Sequence, residues 1–304
     1  MVKIQLNVQN IENMEYAIQI NSESHNYTLG ETYFADLTLE EFQNYFMRTH
    51  LQSRSCDSYS PNGKTTPDSW DWRDKNKVTS VKDQGQCGSC WAFSAIGTME
   101  GAWFKKSGNL VSLSEQDIVD CVTSCYGCGG GWPYKAIDWV LNHSSSNLTR
   151  HNNSYSSNDT NNSGVDTESS YPYEAEDDTC RFRSNSTGAT MKALVEIPSG
   201  SVSHLKDALF SVGPISVAID AEEDLQMYKS GIYSSTINAS GMYSQYATFI
   251  TSSGIQSSGS FLPRGDLFDL NILPTDDTSL SGVITDMNLL GTAAVVACVA
   301  SSTY

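Results

Sequence analysis

The chain has 304 residues, of which 39% are hydrophobic, and this combination predicts a folded core rather than a disordered chain. Its net charge of −17 argues against nucleic acids and anionic membrane surfaces, because both would repel it. No stretch reaches the ~18 consecutive apolar residues of a membrane span, so we expect neither a membrane nor a nucleic acid as partner.

Cysteines and glycosylation motifs indicate an oxidising compartment. The chain contains eight cysteines, which are uncommon in that number in reduced cytosolic proteins. N-x-[ST] triplets agree with a secretory route and begin at Asn26, Asn142, Asn147, Asn152, Asn158, Asn161, Asn185 and Asn238. Met1–Asn7 lacks the apolar core of a signal peptide, so we expect the natural protein to begin upstream of this chain.

Residues 1–64 form a first section of the chain. Thr38 and Glu41 have the spacing of a capping box that opens an amphipathic helix with Phe42, Tyr45 and Phe46. A polar stretch follows at 55–66, with Pro61 and Gly63, and is typical of a linker. A small surface helix followed by a linker explains these residues without any further function.

The next segment, Gln84–Ser94, reads Gln-Gly-Gln-Cys-Gly-Ser-Cys-Trp-Ala-Phe-Ser. It resembles the active-site segment of papain-like, cathepsin-type cysteine peptidases and contains the signature C-G-[SA]-C-[WY]. The resemblance implies that Cys90 is a nucleophile, which as a thiolate attacks a peptide carbonyl and forms an acyl-enzyme. It also implies that the Gln84 amide and the Cys90 backbone N–H bind the oxyanion.

Three helices are predicted after this motif. Cys90–Lys106 has the apolar pattern of a largely buried helix, Ser114 is placed to cap a second helix, and Trp132–Asn142 predicts a third. The Ser/Asn-rich stretch His143–Gly164 indicates a surface insertion.

The resemblance extends to the overall plan of the chain. It implies an α+β, two-lobe peptidase fold, with residues 1–64 as an N-terminally truncated inhibitory propeptide and linker, 65–233 as the peptidase domain and 234–304 as an atypical C-terminal segment. Gly30–Asp36 resembles a propeptide motif in which Thr32 replaces an asparagine. We therefore expect the chain's own propeptide to be an inhibitory partner.

A glycine cluster is the expected substrate-binding element. By resemblance, Gly130 and Gly131 would pair with an extended peptide, since glycines let another backbone approach closely. Trp132, Pro133 and Ala218 would line the pocket for an apolar residue two positions before the cut. The alternative interpretation of the glycines is a tight turn.

The resemblance also implies a pairing of cysteines: Cys87 with Cys128, and Cys121 with Cys180. Cys56, Cys125 and Cys298 have no assigned partners. A zinc site made of Cys87, Cys90, Cys125 and Cys128 is disfavoured because 34 residues separate the two pairs, more than the ~15–20 usual for such sites. A Cys-x-x-Cys redox motif is disfavoured because no thioredoxin-like pattern accompanies it. We expect no metal and no cofactor.

The sequence changes character near residue 234. No histidine follows His204, whereas the family has its base shortly after the Gly231–Tyr233 element, and its orienting asparagine in Asn-Ser-Trp-Gly is missing too. We therefore expect an incomplete β-rich lobe and a poorly packed tail. The expected cause is a wrong reading frame for this segment, through a frameshift or a retained intron.

Two functional hypotheses follow. One is a monomeric, vacuolar or secreted endopeptidase precursor that acts on proteins or peptides. The other is an inactive homologue that binds peptides or proteins.

Overall fold

The computed structural model describes residues 2–25, 27–32, 34–46, 57–63, 65–67, 72, 75–80, 82–142, 164–197, 202–220, 223–231, 246–251, 255–257 and 297–301. The expectations for Cys56, for the histidines at 50, 143 and 151 and for residues 143–163 of the insertion lie outside these residues. The helices are α1 Val2–Asn21, α2 Leu39–Phe46, α3 Cys90–Ser107, α4 Glu115–Cys121, α5 Pro133–Asn142, α6 Val202–Ser211 and α7 Glu223–Gln226.

The strands are β1 Tyr27–Leu29, β2 Asp57–Ser58, β3 Val165–Asp166, β4 Thr187–Ala189, β5 Ala193–Ile197, β6 Ile215–Asp220, β7 Tyr228–Gly231, β8 Tyr246–Thr251, β9 Ile255–Ser257 and β10 Ala297–Ser301. A six-stranded sheet has the order β2-β5-β10-β6-β8-β9, and β1 with β7 and β3 with β4 form two smaller antiparallel pairs. In the large sheet, β2 pairs in parallel with β5 and the other neighbours are antiparallel.

The C-terminal segment contributes more to the sheet than the sequence predicts. β8, β9 and β10 all come from residues 234–304, and β8 pairs with β6 over its full length, from Tyr246 opposite Asp220 to Thr251 opposite Ile215. The expected poorly packed tail is therefore wrong for these three segments. β8 pairs with β6, and β10 pairs with β5 and β6, which lie far away in sequence, whereas β9 pairs with the neighbouring β8. No local pattern in the tail discloses the pairing with β5 and β6.

The central helix is α3, and it begins where the sequence predicts. Its apolar residues Trp91, Ala95, Ile96 and Met99 are fully buried and form a core with α4 and α5. The helix also lies against β6, β8 and β10. Cys90, as the first helical residue, is thereby fixed between the helical part of the molecule and the large sheet.

Local capping signals decide where two other helices begin. The Ser114 hydroxyl accepts a hydrogen bond of 2.9 Å from the Asp117 N–H at the start of α4. Thr38 and Glu41 form the reciprocal pair of a capping box, with Glu41 Oε2 accepting from the Thr38 N–H at 2.9 Å and the Glu41 N–H donating to Thr38 Oγ1 at 3.2 Å. Both predicted helix starts are confirmed.

A second core joins the N-terminal section to later parts of the chain. Phe34 and Phe42 are completely buried, with ring centroids 5.3 Å apart. They share this core with apolar residues of the later segments, among them Ile197, Leu209 and Tyr228. Among the described residues, no helix is long and apolar enough to cross a membrane.

Candidate active site

Cys90 lies at the N-terminal end of α3, and its side chain is 1% exposed. The backbone N–H groups of a first helical turn have no carbonyl acceptor within the helix, and the helix dipole adds partial positive charge there. An anion is favoured at such a position. The site therefore suits a cysteine that reacts as a thiolate.

Cys90 is reduced because its neighbour in the motif is bonded elsewhere. The structure contains the disulfides Cys87–Cys128 and Cys121–Cys180, the same pairs that the resemblance implies. Among the cysteines whose side chains the structure describes, Cys125 is also reduced. Burial raises the pKa of the Cys125 thiol to about 11, so this sulfur is poorly suited to react as a nucleophile.

Gln84 is completely buried in the turn that precedes α3. Its Nε2 donates a hydrogen bond of 2.9 Å to the carbonyl of Cys87, and its Oε1 has no partner among the described residues. One of the two amide hydrogens thus holds the side chain against the turn.

Tyr173 joins the two ends of this turn through its hydroxyl. The phenolic O–H of Tyr173 donates to the backbone carbonyl of Gln84 at 2.8 Å. The Ser89 hydroxyl lies 2.6 Å from the phenolic oxygen of Tyr173. The Tyr173 ring also packs edge-on against Phe93 in α3, with centroids 4.9 Å apart. Burial raises the pKa of Tyr173, so the phenol remains protonated and able to donate.

A buried ion cluster fixes the start of the same turn. Lys82 Nζ lies 3.1 Å from Glu100 Oε1 in α3 and 2.7 Å from Glu115 Oε1 in α4, and it donates to the carbonyl of Leu113 at 2.8 Å. Two buried carboxylates share this one ammonium group. Burial, together with the nearby Glu100 charge, raises the pKa of Glu115 to about 8 against the opposing effect of Lys82.

The glycine cluster has a packing role that the sequence does not reveal. A Cβ atom on Gly131 would lie 2.6 Å from the Trp91 ring, so this position requires glycine for the fold itself. Gly130 has φ of 112°, a backbone conformation open to glycine and strained for other residues. The tight-turn interpretation therefore accounts for both glycines.

Trp132 and Pro133, both half-buried, follow the glycines at the start of α5. Lys135 Nζ lies 3.4 Å from the centre of the Trp132 ring, close enough for a cation–π interaction that orients the indole. The exposed Tyr126 ring lies 5.9 Å from Trp132. Ala218 is in β6, and its side chain lies outside what the structure describes.

The described histidines are His25 and His204. His25 Nε2 lies 3.2 Å from Glu23 Oε2 in the N-terminal section, and His204 is in α6, whose buried residues belong to the second core. Within the described ranges, no group of three or more His, Cys, Asp or Glu residues could hold a metal ion.

Two residues around Cys90 escape analysis of the sequence alone: Tyr173 and Lys82. Nothing in the residues around Tyr173 or Lys82 says which groups their side chains contact. Both roles depend on contacts with residues that are distant in the chain.

Comparison with known proteins gives a consistent result. The sequence profile for papain family cysteine proteases matches residues 66–161 and 155–261, so the resemblance continues beyond 233, where our reading of the sequence ended it. Digestive cysteine proteinase 1 of Homarus americanus is 44% identical over 233 residues, which cover 73% of this chain and 66% of that protein. Cathepsin L1 of Drosophila melanogaster is 43% identical over 221 residues, which cover 68% of this chain and 54% of that protein.

Solved structures are similar over nearly the whole chain. Digestive procathepsin L 3 from Tenebrio molitor larval midgut has a TM-score of 0.74 and 27% identity, covering 99% of this chain and 92% of the other. The stem bromelain precursor also has a TM-score of 0.74, with 28% identity, 99% of this chain and 92% of the other. This chain spans 54–66% of the length of the curated relatives named above.

Proposed function

The chain belongs to the papain family of cysteine proteases, and from this premise we propose that it is a cathepsin L-like endopeptidase precursor whose nucleophile is Cys90. The observation that carries the proposal is a reduced, buried cysteine at the first residue of α3, which follows a turn that holds the buried Gln84 amide through the Cys87 carbonyl. The pairing of Cys87 with Cys128 keeps Cys90 available as a thiol.

The chemistry begins with the Cys90 thiolate. Its sulfur attacks the scissile carbonyl carbon, and the carbonyl π electrons move to the oxygen, which becomes an oxyanion. The Gln84 amide and the helix-terminal N–H of Cys90 would donate to that oxygen. One such donor typically lowers the barrier by about 3–4 kcal/mol, so the pair contributes a large part of the rate.

The next step needs a proton. An amine leaves from the tetrahedral intermediate only when an acid protonates it, and this family uses a histidine for that purpose. No histidine follows His204 in this sequence. This observation favours a second candidate function, in which the chain holds peptides without cutting them.

The substrate is expected to be a protein or peptide in an extended conformation. Gly130 and Gly131 would pair with its backbone, and Trp132, Pro133 and Ala218 would surround an apolar side chain two positions before the cut. The fixed orientation of the Trp132 ring by Lys135 supports this assignment, since a rigid aromatic surface binds apolar groups at little entropic cost.

Residues 1–64 are proposed to be the inhibitory propeptide, with 65–233 as the peptidase domain and 234–304 as its atypical end. The N-terminal section binds the later segment 223–231 through strand pairing of β1 with β7. The hydroxyls of Tyr16 and Tyr27 both donate to the carboxylate of Asp224 in α7. The Thr32 hydroxyl donates to the Gln226 carbonyl at 2.9 Å.

The remaining partners and the location are also proposals. We infer a monomer that requires no metal or cofactor and binds neither nucleic acid nor membrane. An acidic vacuole or secretion agrees with the charge of −17 and with relatives named as digestive proteinases.

The experiment that tests the function measures hydrolysis and binding of one peptide side by side. The substrate is a fluorogenic peptide amide with phenylalanine two positions before the cut. Hydrolysis that disappears in Cys90→Ala and survives in Cys125→Ala assigns the chain as an endopeptidase. Binding of the peptide without hydrolysis assigns the peptide-binding function. Absence of both binding and hydrolysis contradicts both candidate functions.

A further inference from the structure

We propose that Tyr173 is a positioning residue that holds the Gln84 amide and the start of α3 in the geometry needed to bind an oxyanion. This inference rests on the proposed function of Cys90 and Gln84 and adds a residue to it. Tyr173 acts through the turn 84–89 and contacts no substrate in the arrangement that we infer.

The contacts of the hydroxyl define this role. Tyr173 donates its single hydroxyl hydrogen to the carbonyl of Gln84 at 2.8 Å. In the 2.6 Å bond between the two hydroxyls, Ser89 is therefore the donor and the Tyr173 oxygen is the acceptor. The phenol thereby bridges the first and last residues of the turn. Gln84 and Ser89 are both completely buried, so neither has water as an alternative partner.

The middle of the turn is already fixed to a distant segment by the Cys87–Cys128 disulfide and by the Gly88 N–H, which donates to the Cys128 carbonyl at 3.0 Å. Within the turn, the Gln84 side chain and the Ser89 N–H both donate to the Cys87 carbonyl, at 2.9 and 2.8 Å, and the Ser89 hydroxyl lies 3.4 Å from it. Tyr173 adds a contact from another segment to the two ends of the turn, the Gln84 carbonyl and the Ser89 hydroxyl.

Tyr173 is itself anchored at several points. Its N–H donates to Glu168 Oε1 at 3.0 Å, and the next N–H, that of Glu174, donates to Gln116 Oε1 in α4 at 2.9 Å. The ring packs edge-on against Phe93 of α3. A rigid support of this kind can fix the position of the Gln84 amide relative to Cys90.

The hydroxyl is held in its neutral form. Burial raises the pKa of the Tyr173 phenol, and Glu115, Asp83 and Cys90 raise it further against the opposing effect of the Ser89 hydroxyl. Tyr173 therefore keeps the hydrogen that it donates to the Gln84 carbonyl.

The test uses acetyl-phenylalanyl-glycinal, an aldehyde that needs no histidine to react. Cys90 sulfur adds to the aldehyde carbon and the thiol proton ends on the oxygen, which gives a neutral hemithioacetal whose oxygen occupies the oxyanion position. Affinity is measured on the full chain as protection of Cys90 from iodoacetamide, counted by mass spectrometry of the peptide that contains Cys90. The alkylation rate without aldehyde reports access to the thiol and its ionisation.

We expect Tyr173→Phe to weaken aldehyde binding about tenfold while the alkylation rate of Cys90 changes less than about twofold. The matched control is Tyr171→Phe, which removes another phenolic hydroxyl, bonded to Asp120 at 2.6 Å, and should leave aldehyde affinity unchanged. In a Gln84→Ala background, Tyr173→Phe should weaken aldehyde binding less than in the parent chain, because one of the two groups that it positions is gone.

Three results would overturn the inference. Equal aldehyde affinity in Tyr173→Phe and the parent chain would remove the positioning role while leaving the proposed function intact. A parallel loss of aldehyde affinity and alkylation would indicate general damage to the fold. A parent chain that is alkylated at Cys90 but takes up no aldehyde would instead contradict the proposed oxyanion site itself.

Discussion

Gln84 is the residue whose removal best separates thiol chemistry from oxyanion stabilisation. We expect Gln84→Ala to slow acylation of Cys90 by a peptide p-nitrophenyl ester by about 100-fold, because one donor to the oxyanion is lost. Alkylation of Cys90 by iodoacetamide forms no oxyanion and should change little. Gln86→Ala, two residues away and exposed, is the matched control and should acylate at the parent rate.

Cys125 provides a second prediction about single residues. With a pKa of about 11, roughly 0.1% of this thiol is ionised at pH 8, and it is buried as well. In the folded chain at pH 8, we expect iodoacetamide to leave Cys125 unlabelled over the time in which it labels Cys90. Denaturant should make Cys125 reactive. Equal labelling of both cysteines in the folded chain would contradict the predicted difference in reactivity between Cys90 and Cys125.

Sequence analysis identifies the residues of the site whose signal is local. Cys90 and Gln84 lie in one short motif, and the pairings of Cys87 with Cys128 and of Cys121 with Cys180 are what the family resemblance implies. Tyr173 and Ser89 are 84 residues apart, and the contact between them depends on how the segment after β3 folds back onto α3. No sequence pattern reports a hydrogen bond of that kind, which is why the support of the site is visible only in the structure.

At the scale of elements, the contact between β1 and β7 controls how the N-terminal section is held. Hydrogen bonds to a charged group are typically worth about 1.5–3 kcal/mol, and Asp224 accepts two of them, from Tyr16 and Tyr27. The double variant Tyr16→Phe/Tyr27→Phe should therefore open this pairing more often. We expect hydrogen exchange at the Gly30 N–H, which donates to the Met227 carbonyl at 2.9 Å, to become at least about tenfold faster.

The control for this prediction removes a different tyrosine–carboxylate contact. The Tyr59 hydroxyl donates to Asp207 in α6, so Tyr59→Phe should leave exchange at Gly30 unchanged. Unaltered exchange in the double variant would mean that the strand pairing alone holds the section. A Tyr59→Phe effect equal to that of the double variant would point to a global change in stability.

The elements also differ in how far the sequence predicts them. α3 and α4 have their own periodicity, and the side chain of Ser114 caps the start of α4. β8 and β10 have no such signal, since a strand is stabilised by its partners and these partners are the distant β5 and β6, while β9 pairs with β8. This is the physical reason that the sequence predicts a poorly packed tail.

For the whole molecule, buried carboxyl groups set the pH dependence of stability. Burial raises the pKa of Asp166 to about 6, and burial and the neighbouring Asp166 raise that of Asp117 well above its usual range. As pH rises from about 4, the unfolded chain loses these protons while the folded chain keeps them, so folding stability falls. For Asp166 the loss is complete near pH 6, and for Glu115 it continues to about pH 8.

The measurement is the free energy of unfolding in urea at pH 4, 6 and 8. We expect a decrease from pH 4 to pH 6, of which Asp166 contributes about 2 kcal/mol. Asp166→Asn should reduce this decrease by about that amount, because Asp117 and Glu115 still titrate. Glu176→Gln, with an exposed side chain, should reproduce the parent profile. Stability that rises from pH 4 to pH 8 would contradict the assignment of raised pKa values.

The most direct test of the central claim is the reaction of the full chain with a peptide p-nitrophenyl ester. This ester has phenylalanine two positions before the bond that is broken. Nitrophenolate leaves without a proton, so acylation by Cys90 and Gln84 can proceed without histidine, whereas water attack on the thioester still lacks a base. We predict a burst of about one nitrophenolate per chain and a matching acyl mass on Cys90. Release of nitrophenolate that persists in Cys90→Ala, or an acyl group found on another residue, would contradict the account.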